Sequence, residues 1–376
     1  MLRGTMIGTM FRPARCARHA LLVPLAIALA ARAAAPAPAL AADEKGGGAG
    51  ELLDRGQRLF KQGDTAGALR AFDDAARADP KDARAHYLRG VALEKKGDAS
   101  AAMAAYRQAI AQRADFAEAH NNLGALLQSK GDAAGARGEL EAAIRAKPDY
   151  AEAQYNLGIA SDVLGKKPEA VAAYREAVRL RPADGGYRLN LGAALRRVGD
   201  VDGALTALRE ATRLAPNDPI AWADLGMILS DKKAYDDAQQ ALERSTKLKP
   251  EFALAWNRLG RVELKRGRIP ASLEAQQRAR KLEPKNGAFA ADLCRALFEA
   301  KDAARAVAEC RAAVALDPGN PLARYELGKA LVAKGDCAAA QAELGKFRAL
   351  PGVKPEARAQ AEAIARSCVA PAKGKQ

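Results

Sequence analysis

The sequence predicts an all-α solenoid of nine helix-turn-helix repeats, and three observations carry that reading: an ungapped 34-residue period, an apolar content dominated by Ala and Leu, and separate registers for glycine, alanine and proline within the period. The chain is 49% hydrophobic but only 5% aromatic, and Ala and Leu favour helix. Few Val or Ile runs could serve as strands. A globular chain of 376 residues would divide into domains, because single cores stop growing at roughly 250 to 300 residues. A solenoid buries its core between neighbouring repeats and lengthens without dividing.

Residues 1–42 read as a signal peptide. Arg12, Arg15 and Arg18 precede an apolar run from Ala20 to Ala31, and an Ala/Pro stretch then ends in Ala39-Leu40-Ala41, the small-x-small pattern of a signal-peptidase site. Cleavage after Ala41 or Ala42 would leave Asp43 near the new N-terminus. The run is short of the roughly 20 residues a spanning helix needs, so an exported, periplasmic or otherwise extracytoplasmic protein is expected, with an inner-membrane anchor over residues 20–31 as the alternative. Cys16 precedes the apolar run and does not fit a lipoprotein attachment site. Residues 43–48 read as a flexible linker. The leader's five arginines are offset by no acid, so their removal takes the formal charge from +15 to about +10. The remaining basic residues are interspersed with acids and form no clustered basic and aromatic face, so no nucleic-acid partner is expected. Membrane contact is expected only if the leader is retained.

The repeats start at 49, 83, 117, 151, 185, 219, 253, 287 and 321 and end at 354. Gly recurs at Gly56, Gly90, Gly124, Gly158, Gly192, Gly226, Gly260 and Gly328, with Cys294 in its place once. Ala recurs at Ala68, Ala102, Ala136, Ala170, Ala204, Ala238, Ala306 and Ala340, with Ser272 the exception, and Pro at Pro80, Pro148, Pro182, Pro216, Pro250, Pro284 and Pro318. Gly on a first helix facing Ala on a second lets two antiparallel helices approach closely, with Phe72, Tyr106 or Tyr174 filling the space around the contact. Turns such as Gln62-Gly63-Asp64 and Lys96-Gly97-Asp98 end one helix in a left-handed cap and start the next on Asp. Pro stops the second helix. Trp222-Ala223-Asp224-Leu225-Gly226 and Trp256-Asn257-Arg258-Leu259-Gly260 open their repeats in a way that resembles the tetratricopeptide signature, and the resemblance covers residues 49–354. It implies a right-handed superhelix that binds a peptide or protein along a concave groove lined by the first helices. Residues 355–369 read as a capping helix with a polar outer face, and 370–376 as a tail.

Position six of each repeat, expected on the groove, reads Asp54, Leu88, Asn122, Asn156, Asn190, Asp224, Arg258, Asp292 and Glu326. Three successive Asn resemble the asparagine ladder of O-linked N-acetylglucosamine transferase superhelices, which holds the backbone of an extended peptide. An amide offers one acceptor and two donors, which suits a peptide group whatever its side chain; the alternative is that these amides are solvated or bond locally. Tyr87, Tyr155, Arg196, Arg197, Arg261 and Tyr325 join Asn122, Asn156, Asn190 and Asp224 as candidate partner-binding residues, because Tyr and Arg dominate interface energies. The aromatics could equally pack between neighbouring first helices. The Lys, Asn and Arg set of a carboxylate clamp is missing.

Four cysteines follow the leader, an even number suited to an oxidising compartment. Cys294 and Cys310 take the close-contact and facing positions of one repeat, while Cys337 opens a second helix and Cys368 ends the capping helix beside it. Two disulfides, Cys294 with Cys310 and Cys337 with Cys368, are expected; four buried free thiols are the alternative. With no Cys-x-x-Cys pair and with His86 and His120 far from the cysteines in sequence, no metal and no cofactor is expected. Nothing outside the repeats is large enough for a catalytic domain, and no nucleotide-binding Gly loop or catalytic constellation is present. The expected function is therefore a non-enzymatic scaffold in the cell envelope. The alternatives are a substrate-recruiting arm for a separate glycosyltransferase-type enzyme and a membrane-anchored adaptor.

Overall fold

The computed structural model describes residues 48–368. The expected leader, nearly all of the linker, Val369 of the expected cap and the tail lie outside the described residues. Two compact units divide in the turn after Gly199. The first holds α1 (Ala49–Lys61), α2 (Thr65–Ala78), α3 (Ala83–Lys96), α4 (Ala99–Gln112), α5 (Ala117–Ser129), α6 (Ala133–Ala146), α7 (Ala151–Val163), α8 (Lys167–Leu180) and α9 (Gly185–Val198). The second holds α10 (Val201–Leu214), α11 (Pro219–Asp231), α12 (Tyr235–Leu248), α13 (Ala253–Lys265), α14 (Ile269–Leu282), α15 (Gly287–Glu299), α16 (Ala303–Leu316), α17 (Pro321–Lys334), α18 (Cys337–Ala349) and α19 (Pro355–Ser367). No strand occurs among the described residues, and each unit is an α-solenoid of stacked hairpins.

The turn inside each hairpin needs a residue in left-handed backbone, which glycine adopts without a Cβ penalty. Seven repeats supply it at Gly63, Gly97, Gly131, Gly165, Gly199, Gly267 and Gly335. In the other two, Lys233 and Lys301 stand at φ 62°. The Asp that follows caps the next helix: Asp64 accepts from the Gly67 N–H at 2.8 Å and Asp132 from that of Gly135 at 2.8 Å. Lys166, Ala234 and Arg268 replace it and make no side-chain cap.

The close contact is set by volume. A methyl group added at Gly90 would stand 2.6 Å from the Tyr106 ring, and at Gly226 2.5 Å from Leu242 Cγ. Phe72, Tyr106, Leu140, Tyr174, Leu242 and Leu344 fill that facing position and are all fully buried, each worth roughly 1.5 to 3 kcal/mol of transfer energy. One repeat replaces the contact with polar groups, Gln276 donating to the Asn257 carbonyl at 3.1 Å and Ser272 to that of Gly260 at 2.7 Å. Another puts sulfur on both sides, with Cys294 and Cys310 buried and their Cα atoms 5.2 Å apart.

Junctions between repeats carry a device of their own. The fourth residue of a first helix turns a side-chain N–H back onto the carbonyl six residues earlier: Trp222 onto Pro216 and Trp256 onto Pro250, each at 2.9 Å, Arg188 onto Pro182 at 2.9 Å, Arg324 onto Pro318 at 2.8 Å, and His120 onto Ala114 at 3.0 Å. A carbonyl only accepts, so His120 Nε2 carries a proton. Indole, guanidinium and imidazole all serve, because the job needs only one N–H at the right reach. At the C-terminal end α19 buries Ala357 and Ala361 against Tyr325, Leu344, Phe347 and Val353, and places Cys368 with its Cα 5.3 Å from that of Cys337.

Candidate functional site

The first helices of the N-terminal unit carry a hydrogen-bond ladder whose rung is 35 residues rather than 34, because position five of one repeat meets position six of the next. Asn156 Nδ2 donates to Asn121 Oδ1 at 3.0 Å, and Asn190 Nδ2 to the Tyr155 hydroxyl at 3.0 Å and to the Gly186 carbonyl at 3.0 Å. Asn122 Nδ2 donates to the Tyr106 hydroxyl at 3.3 Å, while its Oδ1 accepts from Asn121 Nδ2 at 3.2 Å. Tyr106 in turn donates to Glu94 Oε2 at 2.8 Å. All three expected ladder amides are therefore tied into the protein through their nitrogens. Among the described residues no donor reaches Oδ1 of Asn156 or Asn190.

The aromatic candidates pack more than they project. Tyr87 lies 4.9 Å from Phe116 and 5.8 Å from Tyr106 between ring centroids. Tyr155 stacks on Tyr187 at 4.6 Å and touches Tyr174 at 5.8 Å. Burial first, and then nearby carboxylates, pushes the hydroxyls of Tyr87 and Tyr155 above their ordinary range and that of Tyr187 up to about 12. Tyr325 is buried against Phe347, with centroids 5.2 Å apart, and belongs to the core beneath α19. Arg197 is exposed and pairs with Asp162, which also accepts from the Tyr174 hydroxyl at 3.1 Å. Burial raises the Asp162 carboxyl, against the pull of Arg197 and Tyr174. Arg196 is half-buried.

In the C-terminal unit the same register is filled by ions. Arg258 Nη1 bonds Asp224 Oδ1 at 2.7 Å. Asn257, buried, donates to Asp292 Oδ2 at 2.9 Å and to Gln276 Oε1 at 2.8 Å. Glu326, fully buried, takes Lys329 Nζ at 2.9 Å and lies 3.8 Å from Arg295 Nε. Arg261 is exposed beside this row. Of the residues that sequence reasoning passed over, Asn121 and Asn257 would have surfaced if position five had been read together with position six of the following repeat. No group of three or more His, Cys, Asp or Glu among the described residues is placed to hold a metal ion, and none of the described helices is long and apolar enough to cross a membrane.

A tetratricopeptide repeat model matches residues 53–117, 121–185, 232–286 and 263–321, and two further tetratricopeptide repeat models match 185–228 and 297–361. Among solved structures the chain is similar to the Cut9–Hcn1 hetero-tetramer of APC/C, at 18% identity and a TM-score of 0.56, over 74% of this chain and 55% of that one. It is similar to a tetratricopeptide repeat protein from Parabacteroides merdae, at 18% identity and a TM-score of 0.55, over 66% of this chain and 98% of that one. It is also similar to YrrB, described as a tetratricopeptide repeat protein with an unusual peptide-binding site, at 24% identity and a TM-score of 0.45, over 49% of this chain and 95% of that one. No curated protein sequence matches it. At these identities the structural likeness speaks for the fold alone. Repeat models that match more than half of the sequence, on hairpins whose glycine, cap and junction residues recur in register, show that this chain belongs to the tetratricopeptide repeat family.

Proposed function

We propose that the chain is a non-enzymatic scaffold that holds an extended segment of a partner protein on the first-helix face of its repeats. The observation that carries this reading is the pair Asn156 and Asn190, one period apart, each with Nδ2 bonded inside the protein and Oδ1 uncommitted. Two acceptors held by internal bonds lose little rotamer freedom when they take peptide N–H groups. Selection of displayed random peptides on the purified chain tests this. Selected peptides are expected to bind Asn156→Ala/Asn190→Ala about thirtyfold more weakly, the worth of two hydrogen bonds at roughly 1 kcal/mol each, with far-ultraviolet circular dichroism confirming that the variant remains folded. Equal affinity for the variant would sink the ladder.

The same reading takes the protein as exported to the cell envelope, with Cys294–Cys310 and Cys337–Cys368 as disulfides. The support is the leader pattern and the approach of both cysteine pairs to 5.2 and 5.3 Å between Cα atoms, within the bridging range of roughly 4.4 to 6.8 Å. Mass spectrometry of the natively expressed protein is expected to find a start near Asp43, and thiol titration of unfolded, unreduced protein to find no free thiol.

A further inference from the structure

Arg261, Leu264 and Lys265 stand at i, i+3 and i+4 on α13 and so share one face of it. Arg295 on α15 follows Arg261 by one period. Arg261 and Lys265 are exposed, and neither makes an ion pair among the described residues. Arg295 lies 3.8 Å from Glu326, and its Nε is closed off from solvent with no hydrogen-bond partner. The acids along this row already have partners: Asp224 bonds Arg258, Asp292 the neutral amide of Asn257, and Glu326 Lys329. Arg261 and Lys265 thus carry positive charge with no acid paired to it, on one helix face, next to a third cation.

That arrangement disfavours the free protein. Like charges at i, i+4 repel, and partial desolvation, followed by the fields of Arg295 and Arg261, pushes the Lys265 ammonium below its ordinary value. A negative charge from outside would relieve all three groups. Beside them Leu264, Phe298 and Val332 recur one period apart as a half-buried apolar row, with Lys329 4.2 Å over the Phe298 ring.

We propose that Arg261, Lys265 and Arg295 receive the carboxylates of an acidic segment of the partner protein, whose apolar side chains rest on Leu264 and Phe298. This names the chemistry of the partner and rests on the scaffold reading above. A phosphate backbone fits the surface poorly, because it needs a continuous basic stripe and here Asp224, Asp292, Glu299 and Glu326 are interleaved with the cations.

The probe is a fluorescein-labelled peptide of alternating Glu and Leu, titrated by anisotropy against the full chain at low ionic strength. Arg261→Gln/Lys265→Gln is expected to weaken binding at least about tenfold and to flatten its salt dependence. Arg84→Gln/Arg107→Gln removes the same charge from exposed positions of the N-terminal unit and is expected to leave binding unchanged. Equal affinity in the first variant, equal loss in the second, or tighter binding of a thymidine oligonucleotide that is lost with Arg261 and Lys265 would each overturn the proposal. Peptides selected on Asn156 and Asn190 separate the two readings. If they still bind Arg261→Gln/Lys265→Gln while the acidic probe never binds, the cradle fails and the scaffold stands; if none can be selected while the acidic probe binds, the ladder fails instead.

Discussion

Lys233 and Lys301 occupy the left-handed turn position that seven other repeats give to glycine. A Cβ there costs about 1 to 2 kcal/mol, whereas glycine costs roughly 0.5 to 1 kcal/mol through the freer unfolded chain. Strain wins narrowly, so Lys233→Gly and Lys301→Gly are each expected to stabilise by about 0.5 to 1 kcal/mol in urea unfolding. His120 gives a pH dependence. Its Nδ1 lies 2.6 Å from Glu139 Oε2 while Nε2 holds the Ala114 carbonyl, and the Glu139 hydrogen bond, outweighing burial, raises its pKa. A base whose folded pKa is raised adds stability that is fully present below the unfolded value of about 6.5 and is lost as pH rises through the folded value. Melting temperatures measured between about pH 6 and about pH 9 should therefore fall less steeply in Glu139→Gln than in the parent. At this scale the sequence was half legible. The row Asn122, Asn156 and Asn190 shows in the period, but Asn121 and Tyr155 do not show as its partners. Their link spans 35 residues, an offset created by how one helix stacks on the next, and no single position read down the repeat contains it.

Within the elements, two glycines on helices show how packing overrides propensity. Replacing a mid-helix glycine by alanine gains about 1 kcal/mol of helix propensity. At Gly138 of α6 nothing lies within 4 Å of the added Cβ, and Gly138→Ala should deliver that gain in full. At Gly158 of α7 the same methyl stands 2.5 Å from Cε1 of Tyr174, a fully buried ring tied at its hydroxyl to Asp162. Overpacking costs roughly 1 to 3 kcal/mol, so Gly158→Ala should come out destabilising by about 1 kcal/mol in thermal unfolding. Two shifts of the same sign would mean that the close contact is not what selects Gly158. The glycine register is legible in the sequence because the constraint is steric and repeats with the period. The polar contact around Gly260 is not, because Gln276 reads as an ordinary helix residue until it and Asp292 are seen to share the Asn257 amide.

Across the whole molecule, a stack of repeats has stability that sums over repeats and nearest neighbours, so a terminal element has one neighbour fewer and opens first. α19 is such an element. It buries only Ala357 and Ala361, two small side chains, against Tyr325, Leu344 and Phe347, whereas an interior first helix such as α5 is covered on both sides. Apolar burial alone would leave α19 weakly held, and the proposed bridge between Cys337 and Cys368, 31 residues apart, would compensate. As a disulfide it would stabilise the closed end by about 2 to 4 kcal/mol. Reduction, or Cys337→Ser/Cys368→Ser, should therefore speed amide hydrogen exchange in α18 and α19 by about 1.5 to 3 orders of magnitude and leave α5 and α6 protected as before. The Cys294–Cys310 pair lies inside a covered hairpin where sulfur replaces the glycine contact, so its reduction should be slower and should loosen α15 and α16 together. Exchange that rises evenly along the chain on reduction would show that the repeats melt as one cooperative block, and the end-first account of their stability would have to be abandoned.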